Sequence, residues 1–442
     1  MTNSTFLRAA AALAFAVLLG VAYSQKDPTI APAVLHAPTA QPDRIILTWA
    51  GNPATSQAVT WRTSTAVEKA VAQIAEAEDG PLFKKKAQTV AAATEEFESS
   101  LGRASYHSVR FENLKPATKY VYRVGDGFNF SEWSHFSTGS DKPAPLEFIY
   151  VGDAQNDLFE MWSRVIRASF TDAPKARFIV HAGDLINNPE RDDQWGEWFR
   201  AAGWINQNVP SVPTPGNHEY GAPPKGVRGL NRHWRPQFTL PENGVKGGEE
   251  TNYYLDIQGV RMVSLNSNIL HKEQAEWLDK LLSANPNPWT VITFHHPIFS
   301  TAKGRDNKDL REVWKPVFDK HRVDLVLTGH DHSYGRSNLI TGLTRKDGGT
   351  VYVVSVSGPK MYNATPADWM RRKAEDTQLY QVIRIDGGKL SYEARTARGD
   401  LYDAFELHKR KGKQNKLVDR VPASKPENLR PPAPPEPAKK AA

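Results

Sequence analysis

Arg177-Phe-Ile-Val-His-Ala-Gly-Asp184 is a short apolar run that stops on a Gly-Asp pair. The same arrangement occurs upstream in Leu146-Glu-Phe-Ile-Tyr-Val-Gly-Asp153 and downstream in Val323-Asp-Leu-Val-Leu-Thr-Gly-His330. Such runs read as strands buried on both faces, the mark of a sheet covered by helices. Helical spacing lies between them: Leu158, Trp162, Val165 and Ile166 share one face, and Asp192 to Ile205, Gln274–Leu282 and Leu310–Lys320 also read as helices. Tyr253–Ile257 and Val260–Asn266 predict a hairpin, Thr290–Phe294 a buried strand, and Val351–Val356 and Tyr380–Ile385 late strands. The alternation predicts an α/β layered domain over residues 145–408, where functional groups gather at the ends of strands.

The preceding segment has a different rhythm. Arg44–Trp49 and Ala58–Arg62 flank a Gly51-Asn52-Pro53 turn, and Tyr106–Phe111, Lys119–Val124 and Trp133–Ser137 follow. Short strands at this spacing predict a small all-β sandwich over residues 41–140. Lys84, Lys85 and Lys86 read as a solvated loop within it. Residues 25–40, rich in Pro and Ala, read as a linker.

The ends and the composition narrow the class. Arg8, the apolar run Ala9–Val21 and the small residues at Ala22-Tyr23-Ser24 read as an export signal over residues 1–24. The run is shorter than the ~20 residues of a membrane span. A periplasmic or secreted protein is therefore expected, with no transmembrane anchor after cleavage. Cys is absent from the chain, which excludes disulfides, Cys-bound zinc and a thiol nucleophile. The net charge is +7, and ten Lys or Arg against three Asp or Glu from Lys409 onward account for all of it. With no basic face on either domain, nucleic acid is not expected as a specific partner. Residues 409–442, basic and Pro-laden, read as a disordered tail. Nothing in the composition assigns an oligomeric state.

Five short segments carry the chemistry: Gly152-Asp153-Ala-Gln155, Gly183-Asp184, Gly216-Asn217-His218-Glu219, Phe294-His295-His296-Pro297 and Gly329-His330-Asp331-His332. Singly, a Gly-Asp after a strand is a turn with a cap. Together they hold five of the 13 His, two strand-end Asp and an Asn. Carboxylate oxygens, neutral imidazoles and an amide carbonyl suit Fe, Zn or Mn. A carboxylate shared by two cations holds them ~3.5–4 Å apart for in-line displacement, lowers the pKa of a trapped water and offsets phosphoryl charge.

The ordered set resembles the calcineurin-like metallophosphoesterases. With the fibronectin type III-like sandwich in front, including Leu114-Lys-Pro-Ala-Thr-Lys-Tyr120, it most resembles the bacterial branch of the purple acid phosphatase family. The resemblance implies a four-layer α/β sandwich holding two divalent or trivalent metal ions. It implies that Asp153, Asp184 and His332 bind the first metal and that Asp184 bridges to a second, held by Asn217, His295 and His330. It also places His218 over the phosphate of a small phosphorylated substrate as proton donor, with His296 beside the pocket.

Two departures follow from the same comparison. Asn187 stands where purple members have a tyrosinate ligand, so no purple band is expected. Gln155 stands where a His is often found, and binds a metal or a metal-bound water through its amide. Lys303 and Arg305 read as phosphate-gripping cations or as a solvated loop, with Arg305 the substrate-binding candidate. Glu219 is placed to orient His218, and Asp331 to cap a turn. His181 reads as packed near a strand end. His233, Trp234 and Arg235 read as pocket rim or core.

The expected activity is hydrolysis of phosphate monoesters by a metal-bound hydroxide, acid phosphatase-like, with Asp184 and His218 as catalytic residues. A phosphodiesterase or nucleotide pyrophosphatase at the same metals is the first alternative. A cell-surface binding module with a decayed metal domain is the second.

Overall fold

The computed structural model of the chain describes residues 29–221, 229–342, 344–345, 349–365 and 367–431. The export signal, residues 25–28 of the linker and residues 432–442 of the tail lie outside them. Among the described residues, those up to Ala37 and those from Pro38 onward belong to separate units. The described part of the first carries one helical turn, Pro32–Leu35. No helix among the described residues is long and apolar enough to cross a membrane.

From Asp43 the chain builds an all-β sandwich of two four-stranded antiparallel sheets. One runs Asp43–Thr48, Gln57–Thr63, Gly102–Phe111, Ala93–Ser99, and the other Gln88–Ala91, Val71–Glu76, Lys119–Gly125, Ser134–Ser137. Alternate residues face inward, so Leu47, Val59, Trp61, Val109, Tyr122 and Phe136 fill one core. Tyr120 closes a corner, its hydroxyl accepting from Lys115 N–H at 2.9 Å, and Leu114 packs on the same core.

The α/β domain has two seven-stranded mixed sheets. In the first, Ser211–Pro213, Ile179–His181 and Leu146–Val151 are parallel, and Leu379–Asp386, Lys389–Thr396, Leu401–Arg410 and Lys413–Asp419 continue it antiparallel. In the second, Val260–Ser264, Trp289–Phe294, Leu325–Thr328 and Val351–Val354 are parallel at the centre. Tyr253–Ile257 and Val260–Ser264 make the antiparallel pair that their sequence predicts.

Neighbouring side chains on one strand serve different layers. Val291, Leu325 and Leu327 join the core shared with Phe148 and Val382 of the other sheet. Ile292, Phe294 and Val326 pack with Leu278, Trp314 and Phe318 of the helices His271–Ser283 and Lys308–His321. Ser163–Asp172 and Asp192–Ala202 pack Val165, Ile166 and Trp198 into the first core.

Sandwich and α/β domain are tied by a buried ion pair. Arg44 donates to both oxygens of Asp192, at 2.7 and 2.8 Å, and to the Tyr106 hydroxyl at 3.0 Å. Two charges out of water are tolerated because the contact is bidentate and Arg44 also donates to the Asp192 carbonyl at 3.1 Å.

The tail expectation fails for its first part. Lys413–Asp419 is the edge strand of the first sheet, and ordered contacts continue to Arg430. Composition hides the strand because its anchors are polar. Asn415 and Lys409 meet the buried Asp324, and Asp419 meets Arg336 and Arg371. A basic edge strand of this kind also discourages pairing with other chains.

Candidate metal centre

Five strands end at one place. Leu146–Val151, Ile179–His181 and Ser211–Pro213 bring in Asp153, Asp184 and Asn217, while Trp289–Phe294 and Leu325–Thr328 bring in His295, His330 and His332. All five lie in the parallel parts of their sheets, so their carboxyl ends face the same crevice. Asp153, Asp184, His330 and His332 adopt left-handed backbone angles, with φ of 47°, 51°, 76° and 49°. This conformation is costly for non-glycine residues and is retained where a site needs it. Glycine precedes three of them and Asn217 to let the loops meet. A Cβ on Gly216 would collide with Asp184 Oδ1, and one on Gly329 with Asp153 Oδ2.

The polar atoms converge beyond what hydrogen bonding explains. His295 Nδ1 donates to the Ala182 carbonyl at 2.9 Å, which leaves Nε2 as the free nitrogen. That nitrogen lies 3.1 Å from Asp184 Oδ2, 3.1 Å from Asn217 Oδ1 and 3.1 Å from His330 Nδ1. A proton on Nε2 satisfies one of these three contacts; a cation among them satisfies all. On the other side, His332 Nδ1 donates to the Lys360 carbonyl at 3.0 Å, and its Nε2 faces Asp153 Oδ1 at 3.8 Å. Asp153 Oδ1 and Gln155 Oε1 are buried without a hydrogen-bond partner among the described residues. Buried orphan acceptors of this kind call for a cation. The residues therefore fit a metal ion, and Asp153, Asp184 and His295 bring ligand atoms within 4.8 Å of one another.

Burial and mutual charge polarise the cluster. Burial pushes the Asp153 carboxyl well up, and the Asp184 charge adds to it. Burial works the same way on Asp184, but the His295 charge overrides it and the carboxyl is held below the usual range. Burial opposes a charge on His295, yet Asp184 lifts its imidazole to about 9. His332 is lowered to about 3 by burial and then by Lys360, and His296 to about 3 by burial and then by His295. A metal takes neutral imidazoles and ionised carboxylates, so its binding would displace the His295 proton and keep Asp153 ionised.

The other sequence candidates fall into place around this core. Gln155 is fully buried and its Nε2 donates to Asp184 Oδ2 at 3.0 Å. His218 is part-exposed; its Nδ1 donates to the Asn187 carbonyl at 2.5 Å, and Nε2 lies 3.9 Å from Asp184 Oδ2. His296 packs against His330 with the rings tilted, 4.3 Å between centroids, and meets Ser267 Oγ at 2.8 Å. It also lines a groove of about 480 Å³ with Tyr220, Ser267, Asn268, His271 and Lys308. Arg305 is partly committed, donating to Asp331 Oδ1 at 3.1 Å and to the His330 carbonyl at 3.0 Å. His181 packs against Trp198 at 5.3 Å and is in neither group of metal-capable side chains. His233 and Trp234 are core, with His233 Nδ1 bonded to Asn231 at 2.8 Å. Lys303 is exposed.

Two expectations need correction. Glu219 does not contact the His218 ring. Its carboxylate accepts from the backbone N–H groups of Asp184, Leu185 and Gly216 at 2.9, 2.8 and 2.6 Å, so it fastens two ligand loops together. Asp331 does more than cap a turn. It is buried between the candidate ligands His330 and His332 and accepts from Ser300 Oγ, Thr301 N–H and Arg305, tying the segment 300–305 to them. Sequence reasoning missed Lys360 and Tyr362, which lie against His332 without any motif of their own. The one signal is Gly358, where a Cβ would strike the Asp153 carbonyl.

Comparison with known proteins agrees with this picture. Residues 42–138 match the purple acid phosphatase N-terminal domain, and residues 146–334 match the calcineurin-like phosphoesterase domain. Purple acid phosphatase 21 of Arabidopsis thaliana is 28% identical over 262 residues, covering 57% of this chain and 58% of that protein. The uncharacterized protein Rv2577 of Mycobacterium tuberculosis is 27% identical over 277 residues, covering 53% and 51%. The chain thus spans about half the length of these relatives. Among solved structures, the purple acid phosphatase PPD1 from yellow lupin seeds superposes with a TM-score of 0.71 at 18% identity, over 83% of this chain and 74% of that one. PhoD superposes at 0.64 with 13% identity, over 91% and 95%. Both share the fold. The chain joins a purple acid phosphatase N-terminal domain to a calcineurin-like metallophosphoesterase domain.

Proposed function

We propose that the protein hydrolyses phosphate monoesters at a dinuclear metal site bridged by Asp184. The observation that carries this reading is the triple convergence on His295 Nε2, by Asp184 Oδ2, Asn217 Oδ1 and His330 Nδ1. The orphaned Asp153 Oδ1 beside His332 Nε2 supports a second ion. When bound, the ions supply Lewis acidity toward the phosphoryl oxygens and a water of lowered pKa.

The chain's own groups do the rest. Asp184, Asn217, His295 and His330 hold one side, and Asp153 and His332 the other, with Gln155 oriented by its bond to Asp184. His218 has its Nδ1 proton committed to Asn187 and its Nε2 3.9 Å from Asp184 Oδ2. In its imidazolium form, Nε2–H delivers a proton to the departing alcohol oxygen. The groove beside His296 takes the organic part of the substrate. The export pattern of residues 1–24 supports action in the periplasm or outside the cell.

Protein loaded with Mn, Fe or Zn and assayed on p-nitrophenyl phosphate and bis-p-nitrophenyl phosphate tests the proposal, with Asp184→Asn as control. Preferred turnover of the monoester, lost in the control, is expected. Selective turnover of the diester would make the protein a phosphodiesterase, and no turnover of either would point to a binding module.

A further inference from the structure

The segment after Val351–Val354 folds back over the first-metal side of the site. The Lys360 carbonyl accepts from His332 Nδ1 at 3.0 Å, and Tyr362 N–H donates to the His332 carbonyl at 2.9 Å. The Tyr362 ring lies 4.7 Å from the His332 ring. Two cations sit over that one ring: Arg305 Cζ at 5.3 Å and Lys360 Nζ at 5.6 Å.

These cations differ in how they are satisfied. Arg305 is paired with Asp331 through Nε, while the Lys360 ammonium has no carboxylate partner among the described residues. Lys360 is half-buried, on a loop held from behind. Arg430 Nη1 donates to Asn363 Oδ1 at 2.6 Å, Nε donates to Asp376 Oδ2 at 2.7 Å, and Nη2 reaches the Met361 carbonyl at 3.4 Å. An unpaired ammonium fixed beside a site for metal cations is unfavourable on its own. It becomes favourable when an anion with charge to spare sits between them.

We infer that Lys360 is a substrate-binding residue which, with Arg305, forms a cationic wall beside His332 and favours the dianionic phosphate of a monoester over the monoanionic phosphate of a diester. This rests on the phosphoesterase reading above and names the residue that sets its substrate class. Tyr362 forms the floor of the wall. The long flexible stem of Lys360 lets the ammonium follow a bound phosphoryl group.

The test uses full-length, metal-loaded wild type, Lys360→Gln and Lys360→Arg. Binding of inorganic phosphate is read by calorimetry, and turnover on p-nitrophenyl phosphate and bis-p-nitrophenyl phosphate by steady-state kinetics. Thermal unfolding checks that the variants fold. Lys360→Gln is expected to weaken phosphate binding and raise the monoester KM by about tenfold, with kcat less affected. The diester KM is expected to stay within about twofold, as for a screened charge. Lys360→Arg is expected to recover most of the phosphate affinity, because it keeps the charge. Unchanged phosphate affinity in Lys360→Gln overturns the inference, and so does an equal loss on monoester and diester. Absence of turnover in the wild type overturns the phosphoesterase reading instead, and the phosphate-binding arm still decides on Lys360.

Discussion

The Glu219 carboxylate accepts the backbone N–H of Asp184 at 2.9 Å, and so a buried acid holds the loop of this candidate ligand from behind. Its other bonds, to Leu185 and Gly216, make it a clamp between two motifs adjacent in space but distant in sequence. Glu219→Ala leaves three buried N–H groups without an acceptor. The variant is expected to lose about 3 kcal/mol of stability in denaturant unfolding and to bind metal more weakly. A loss below about 0.5 kcal/mol, the scale of an inert surface change, would remove Glu219 from this role.

Asn187, where the family resemblance leads one to expect a tyrosinate, accepts from His218 Nδ1 through its backbone carbonyl. No phenolate is supplied at that position. Iron-loaded protein is expected to show no charge-transfer band in the visible, and Asn187→Tyr to introduce one. Colour in the iron-loaded wild type would show that another tyrosine reaches the metal.

Much of this centre is legible in the sequence. Parallel strands buried on both faces appear as uninterrupted apolar runs, and Gly-Asp or Gly-His at their ends marks where they stop. The sandwich is equally open, through inward alternation and the Tyr120 corner. What sequence conceals is interaction between distant segments with polar anchors. Lys413–Asp419 looks like a charged tail because its place is set by Asp324, Arg336 and Arg371. Lys360 and Tyr362 reach His332 only because the sheet returns them there, and Glu219 shows its purpose only once the 184 and 216 loops meet.

His181 is packed against Trp162 and Trp198, with Nε2 buried and unpartnered among the described residues. Burial pushes its imidazole down to about 3, below its ordinary value near 6.5. The unfolded chain therefore takes up the proton first as the pH falls. The stability this group contributes is complete above pH 6.5 and is lost progressively as the pH falls toward about 3. Denaturant unfolding across that range is expected to show a His181→Phe variant less sensitive to acid than wild type, by on the order of 3 kcal/mol. Parallel pH profiles would contradict the assignment.

Arg430 bridges Asp376, Asn363 and the Met361 carbonyl, bracing the loop that carries Lys360 and Tyr362. The ion pair is partly exposed to solvent and contributes little to global stability. Arg430→Ala is expected to change unfolding free energy by less than about 1 kcal/mol while raising the monoester KM several-fold. Unchanged KM would show that the loop holds its place without the brace.

Metal content per chain tests the central claim most directly. Protein reconstituted with Mn, Fe or Zn and freed of excess ion is measured by mass spectrometry beside Asp184→Asn and Gln155→Ala. A centre bridged by Asp184 predicts two ions in the wild type, loss of both in Asp184→Asn, and selective loss of the first-side ion in Gln155→Ala. A single ion in the wild type, or full occupancy in Asp184→Asn, would contradict the dinuclear centre.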